Sequence, residues 1–116
     1  MIKITNNVRD LSDSIVYLQM NCNSMDYPTE FQTYDEAWEE LRQNINHLRS
    51  KLGEARYHKL VEMAVQAKAH YDEGYTKGFS RIDPGKPKGE GFDAIKRASF
   101  LMQDIEEVIK GRQSNA

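Results

Sequence analysis

Apolar residues recur at the three- and four-residue spacing of an α-helix in four segments of the chain. The first segment, residues 7–23, has an apolar face of Val8, Leu11, Ile15, Leu18 and Cys22. The second, 33–52, carries a stripe of Tyr34, Ala37, Trp38, Leu41, Ile45, Leu48 and Leu52. The third, 54–76, presents Tyr57, Leu60, Val61, Ala64, Tyr71 and Tyr75. The fourth, 93–110, presents Ala94, Ala98, Leu101, Met102, Ile105, Val108 and Ile109.

Local signals agree with these helix ends. Thr33-x-x-Glu36 has the form of a capping box, Asp93 is an expected N-cap, and Gly53 and Gly111 are suited to end helices. Only Gly53 separates the second and third segments, which favours an antiparallel hairpin. The pattern predicts one all-α domain over residues 1–116: an antiparallel bundle of four helices, with a fifth left open, built around a central helical hairpin.

Length and composition limit the location and chemistry of the protein. No segment approaches the ~20 apolar residues of a membrane span, and the opening MIKITNNVRD contains no apolar run typical of a signal peptide. We therefore expect a cytoplasmic protein that does not bind membranes. The single cysteine, Cys22, falls on the apolar face of its helix, where we expect an inert, buried thiol.

The segment 80–92 concentrates glycine, proline and lysine, which raises the question of a phosphate-binding loop. A Walker-type loop follows a strand and places Ser or Thr after the Gly-Lys pair, whereas here a helix precedes it and Pro87 follows Lys86. We interpret the segment as a flexible connection, with an anion or partner contact through Lys86 and Lys88 as the alternative.

Charge is unevenly distributed along the chain. Between Asp10 and Leu41 there are eight acidic residues and no lysine or arginine, whereas basic residues outnumber acidic ones from Arg42 onward. One part of the surface should therefore be negative. Such a field repels nucleic acid and attracts basic proteins, so we expect a protein partner and no nucleic acid.

Candidate catalytic and metal-ligating groups form no complete pattern. Glu36-x-x-Glu39 matches half of the Mg²⁺ site of all-α nucleotide pyrophosphatases, but the only downstream counterpart is the reversed and distant Asp104-x-x-Glu107. The three histidines show no H-x-x-x-H pair, and no Ser-His-acid arrangement is recognisable. We predict no catalytic, cofactor or metal site, and a protein that is not an enzyme.

Several residues do not fit the simple amphipathic pattern. Val16, Tyr17 and Met20 extend the apolar surface of the first helix, which indicates either a central helix packed on two sides or a partner-binding patch. Phe100 projects opposite the core stripe of the last helix, either beneath the 80–92 loop or as an interface anchor. Lys68 falls within an apolar stripe and is expected either to extend to water or to pair with an acid of the N-terminal half. Gly74 and Gly78 should either end the third helix or allow another helix to approach closely.

The hairpin at 34–74 resembles small helical immunity proteins that protect bacteria from their own type VI secretion effectors, in particular the family that neutralises NAD-degrading and nucleotide-targeting toxins. The similarity lies in the Tyr27-Pro28 lead-in, the apolar stripe 41–52, YHKL at 57–60, and Lys68 followed by Tyr-Asp-Glu at 71–73. The resemblance implies a cytoplasmic toxin inhibitor, and it places Asp72 and Glu73 near an interface.

The resulting hypothesis is an immunity protein that binds a cognate toxin domain 1:1 and blocks its active site. Negative charge would come from Glu36, Glu39 and Glu40, and apolar anchors from Tyr17 and Phe100. The alternatives are a phage or regulatory helical module that binds another protein or a nucleotide, and an all-α metal-dependent nucleotide pyrophosphohydrolase.

Overall fold

The computed structural model describes residues 2–79 and 91–111, and within these ranges it contains five α-helices and no strand. They are α1 (Val8–Asn23), α2 (Tyr34–His47), α3 (Arg49–Leu52), α4 (Glu54–Thr76) and α5 (Phe92–Ile109). The predicted all-α class is confirmed. The predicted second helix is divided into α2 and α3 because the backbone leaves helical geometry at Leu48, where φ is −95° and ψ is 11°.

Side-chain caps and glycines define most of the helix ends. The Thr33–Glu36 capping box is present, with both reciprocal hydrogen bonds formed, and Gly53 turns the chain between α3 and α4 at a φ of 84°. The prediction that Asp93 caps the last helix is wrong, because α5 begins one residue earlier and Gly91 occupies the capping position. Asp93 lies in the first turn, where the helix dipole favours an acidic residue.

The four long helices pack mainly as a ring, α1 with α2, α2 with α4, α4 with α5, and α5 with α1, and hydrogen bonds from Tyr71 and Tyr75 also join α4 to α1. Contacts between Trp38 and Tyr71 at one end and between Asn46 and Tyr57 at the other show that α2 and α4 are antiparallel. These contacts confirm the predicted central hairpin. Beyond it, α4 packs most extensively against α5.

The buried face of α4 differs from the predicted stripe. Its buried residues are Leu60, Met63, Ala67, Tyr71 and Gly74. Val61 and Ala64, which were predicted to lie in the core, are only partly buried and pack at its edge. The difference arises because α4 contacts α2 on one side and α5 on the other. The apolar residues of α4 are therefore divided between two adjacent rows, and the more deeply buried row includes Met63 and Ala67.

The segment that precedes α1 is extended and is held against α2 by polar contacts. Asn44, which is only 2% exposed, accepts a hydrogen bond from the Thr5 amide at 2.8 Å and donates one to the Lys3 carbonyl at 3.0 Å. Glu40 accepts from the Lys3 amide at 2.9 Å, and Lys51 donates to the Asn6 carbonyl at 2.6 Å. Helix side chains thereby replace the partner strand that an extended segment otherwise needs.

Both predicted uses of the glycine pair occur, each at a different glycine. Gly78 follows the end of α4 at a φ of 92°, a left-handed conformation that glycine adopts without strain. Gly74 is buried where α4 meets the start of α5. A methyl group at this position would come within 2.6 Å of Ile95 Cγ1 and 3.0 Å of the Gly91 carbonyl oxygen, so the absence of a side chain allows the close contact.

Replacing Gly74 by Ala should therefore destabilise the protein by about 1–3 kcal/mol, because overpacking at Ile95 outweighs the gain of up to about 1 kcal/mol in helix propensity. The measurement is the free energy of unfolding in urea, determined for Gly74→Ala, Ile95→Val and the double variant. The double variant should lose less stability than the sum of the single changes, because valine lacks the clashing terminal methyl group. Equal or higher stability of Gly74→Ala would contradict the close approach.

Replacing Asn44 by Ala should release the N-terminal segment and lower the free energy of unfolding by about 1–3 kcal/mol, since the Thr5 amide and Lys3 carbonyl lose their partner. Hydrogen exchange at the Thr5 amide should accelerate more than exchange in the centre of α4. Gln43→Ala, one residue away on the same helix, is the control and should leave Thr5 exchange unchanged. Unchanged Thr5 protection in Asn44→Ala would mean that another contact holds the segment.

Candidate functional site

A groove of about 270 Å³ lies between α1 and α2. We refer to it as the α1–α2 groove. Its apolar lining consists of Leu11, Leu18, Ala37 and Leu41. Its polar and aromatic lining consists of Asp13, Ser14, Tyr17, Gln32, Glu40 and Asn44. The groove therefore brings together two predicted partner-binding residues, Tyr17 and Glu40, over an apolar floor.

Some polar groups around this groove have hydrogen-bond donors or acceptors that are not used within the described residues. Within residues 2–79 and 91–111, neither Asp13 nor the Tyr17 hydroxyl has a hydrogen-bond or ion-pair partner. Glu40 uses one oxygen, Oε2, to accept from the Lys3 amide and from Gln32 at 2.8 Å. No lysine or arginine from the described ranges lines the groove. Asp13 and Glu40 therefore form no ion pair within the described residues.

The outer face of α1 is exposed. Val16, Tyr17 and Met20 are 36%, 57% and 62% exposed, while Leu11, Ile15 and Cys22 on the opposite face are completely buried. The prediction of a central helix packed on two sides is therefore wrong, because the side of α1 that carries Tyr17 and Met20 is exposed. The alternative interpretation, a partner-binding patch, remains a proposal.

A second polar cluster joins α2 to α4. The Asp72 carboxylate accepts from the Tyr34 hydroxyl at 2.8 Å and from Lys68 Nζ at 3.1 Å. Lys68 Nζ also lies 3.7 Å from Asp35 Oδ1 and 5.3 Å from the centre of the Tyr34 ring. Lys68 therefore forms its shorter ion pair with Asp72 of its own helix and a longer one with Asp35, an acid of the N-terminal half, while its side chain stays 34% exposed. Features of both predicted alternatives are present, and Asp72 is engaged in joining helices.

The acidic residues predicted along α2 separate into different roles. Glu36 belongs to the capping box, and hydrogen bonds from Thr33, first from its backbone amide, lower the pKa of the Glu36 carboxyl. Glu39 forms a bidentate ion pair with Arg42, whose hydrogen bonds lower the pKa of the Glu39 carboxyl to about 2. Only Glu40 of the three lines the α1–α2 groove.

The remaining candidates lie on other sides of the bundle. Glu73 of α4 accepts from Arg97 of α5 at 2.6 Å, so it joins these two helices. Phe100 is 55% exposed and lines a separate pocket with Phe79, Phe92 and Lys96. The suggested cover for Phe100 is the 80–92 loop, of which residues 80–90, including Lys86 and Lys88, lie outside the described residues.

A second apolar groove, of about 320 Å³, lies between α2 and α4. Trp38, Val61 and Val65 contribute to its apolar surface, and Val65 is 67% exposed. Charged residues at its edges are already paired, with Glu39 bound to Arg42 and Lys68 bound to Asp72. This groove therefore has an apolar surface but lacks the unpaired charge of the α1–α2 groove.

Where α2 begins and α4 ends, four aromatic residues of the predicted apolar stripes form a cluster. Tyr34, Trp38, Tyr71 and Tyr75 form consecutive ring contacts with centroids 5.5 to 6.3 Å apart. The Tyr75 hydroxyl donates to the Cys22 carbonyl at 2.5 Å. The helical spacing from Tyr71 to Tyr75 and from Tyr34 to Trp38 was a usable signal, because such pairs adjoin on one helix face.

Burial in this cluster suppresses ionisation. Desolvation raises the pKa of the Cys22 thiol from 9.0 to about 12, and it also raises the pKa values of Tyr34, Tyr71 and Tyr75. At neutral pH the thiol therefore stays protonated, which makes it a poor nucleophile. The position of Cys22 in the core is confirmed, with no exposed surface.

The described part of the chain shows neither a metal site nor a membrane-spanning helix. No group of three or more His, Cys, Asp or Glu residues there is arranged to hold a metal ion. None of the helices in the same ranges combines the length and apolarity that crossing a membrane requires. Comparisons of the chain with protein-family models, curated proteins and solved structures yield no significant match.

The buried thiol should make the protein less stable in alkali. Between pH 9 and 12 the unfolded chain loses the Cys22 proton while the folded protein retains it, so the free energy of unfolding falls as pH rises. We expect Cys22 to account for a loss of about 2–4 kcal/mol across this interval. Urea unfolding at successive pH values should show a steeper loss in the native protein than in Cys22→Ala. Identical slopes would contradict the predicted ionisation change.

Proposed function

We propose that this chain is an immunity-type inhibitor that binds a bacterial toxin or effector domain 1:1 and blocks its substrate site. The observation that carries this proposal is the combination, around one groove, of the exposed Tyr17 and two acidic residues, Asp13 and Glu40, that form no ion pair with a described lysine or arginine. The binding surface comprises the α1–α2 groove and the exposed outer face of α1. The proposed site of action is the cytoplasm of the producing bacterium.

Electrostatics supports a basic partner. No described lysine or arginine lines the groove or forms an ion pair with Asp13 or Glu40, so both carboxylates can attract a basic partner. Clefts that bind nucleotides or nucleic acid carry positive charge, and an acidic protein surface can occupy such a cleft and accelerate association. An inhibitor that works in this way excludes the substrate and needs no catalytic groups of its own.

Exposed apolar groups support a protein rather than a small-molecule partner. Val16, Tyr17 and Met20 are exposed on α1, and Tyr17 also lines the groove. Tyrosine and methionine are enriched in the cores of protein interfaces, where a rigid ring loses little conformational entropy on binding. The hydrolase alternative lacks comparable support, since Glu36 and Glu39 are engaged by Thr33 and Arg42.

The test begins with co-expression of this chain and the toxin domain encoded by a neighbouring gene. We expect rescue of growth and co-purification as a 1:1 complex. Asp13→Lys should weaken the complex about tenfold or more, mainly through slower association, and Tyr17→Ala should cost about 2 kcal/mol of binding free energy. The dissociation constant and association rate of each purified variant provide the measurement.

Asp104→Lys is the matched control, because it makes the same charge change at an exposed position on α5 and should leave affinity nearly unchanged. Reversing Glu36, Glu39 and Glu40 together is a poor test, since it removes a helix cap and the Lys3 contact. Loss of binding in Phe100→Ala but not in Tyr17→Ala would place the interface at the pocket around Phe100 on α5 instead of the α1–α2 groove. A neighbouring protein that is harmless and does not bind would contradict the proposed function.

A further inference from the structure

We propose that the α1–α2 groove is a receptor for an arginine side chain presented by a partner protein. The identification of that partner as a toxin rests on the proposed function, whereas the preference of the groove for arginine does not. Three properties of the groove support this assignment: its apolar floor, its aromatic wall and its unpaired negative charge.

The size and floor of the groove suit a long side chain with an apolar stem. At about 270 Å³ the groove is smaller than the ~300–1,000 Å³ typical of sites that enclose whole drug-sized ligands. Leu11, Leu18 and Leu41 supply the apolar surface at its base. The methylene groups of arginine can lie on such a surface while the charged end reaches the polar rim.

The rim provides acceptors that are available to a cation. Asp13 has no partner among the described residues, and Glu40 Oε1 accepts no hydrogen bond from them, because both contacts of Glu40 are made through Oε2. Asn44 is unavailable, since its amide is occupied by the Lys3 carbonyl and the Thr5 amide. Asp13 and Glu40 are therefore the groups that would receive the cationic end.

Tyr17 distinguishes this groove from a simple acidic surface. Its ring is 57% exposed and lines the same space as Asp13, so a cation bound to the carboxylate can also lie against the aromatic face. A guanidinium group is planar, stacks on aromatic rings and binds a carboxylate through two parallel hydrogen bonds. An ammonium group is compact and more strongly hydrated, so lysine should bind less well than arginine.

The test is an NMR titration of the ¹⁵N-labelled full chain with N-acetyl-arginine-N-methylamide. The neutral citrulline analogue serves as the isosteric control, and the lysine analogue tests the preference for guanidinium. We expect a dissociation constant of ~1–10 mM for the arginine compound, with amide shift changes centred on Ser14, Tyr17 and Leu41. The citrulline compound should cause no comparable changes at these amides.

Two variants test the groups assigned to the receptor. Asp13→Asn should weaken arginine binding about three- to fivefold, as expected for a single exposed ion pair, and Tyr17→Leu about two- to fivefold. Asp104→Asn is the control and should bind like the native protein. Far-UV circular dichroism and the urea midpoint of each variant establish that the fold is retained.

Three outcomes would contradict the proposed arginine receptor. They are equal amide shifts with the arginine and citrulline compounds, amide shifts centred away from the groove, and full arginine binding by Asp13→Asn. If the toxin complex forms although the arginine compound does not bind, the proposed arginine receptor is contradicted and the proposed function is not. Arginine binding at the groove, combined with a toxin complex that is indifferent to Asp13→Lys, would support the receptor and contradict the proposed toxin-binding surface.

Discussion

The contact between Gly74 and Gly91 is the constraint on which the rest of this bundle depends. It brings the end of α4 against the start of α5 at a distance that no side chain would permit. The interhelical pair between Glu73 and Arg97 lies in the same region, and α5 then also contacts α1 through Ser99. Because α5 bridges α4 and α1, the position of α1 and hence of its exposed face follows from this approach.

Much of the fold could be predicted from the sequence because periodic burial and capping are local properties. The Thr33–Glu36 box and the turn at Gly53 lie within a few residues of the helices that they delimit, so their chemistry is readable without the fold. Which face of α4 is most buried depends instead on α5, which comes later in the chain. The deeper burial of Met63 and Ala67 was therefore missed.

The candidate site was predictable only in part. Tyr17 was recognised because it lies outside the apolar stripe of α1, and Glu40 because it belongs to an acidic run. Their common position around one groove, together with Asp13, depends on how α1 and α2 pack. Asn44 gave no signal, since an asparagine that binds an extended segment has the same local pattern as one facing solvent.

The uneven charge along the sequence becomes an uneven distribution of ion pairs in three dimensions. In α4 and α5, Asp72 has Lys68 and Glu106 has Lys110 four residues away, which places each pair on one helix face. In α1, Arg9 lies four residues before Asp13, in the same order as Lys68 and Asp72, but the two side chains form no ion pair in the described structure. Asp13 therefore lacks the direct pairing that Asp72 and Glu106 have. Because a fixed helix already holds Asp13 and Tyr17, a cationic partner would bind without ordering a flexible loop, and less conformational entropy would oppose the complex.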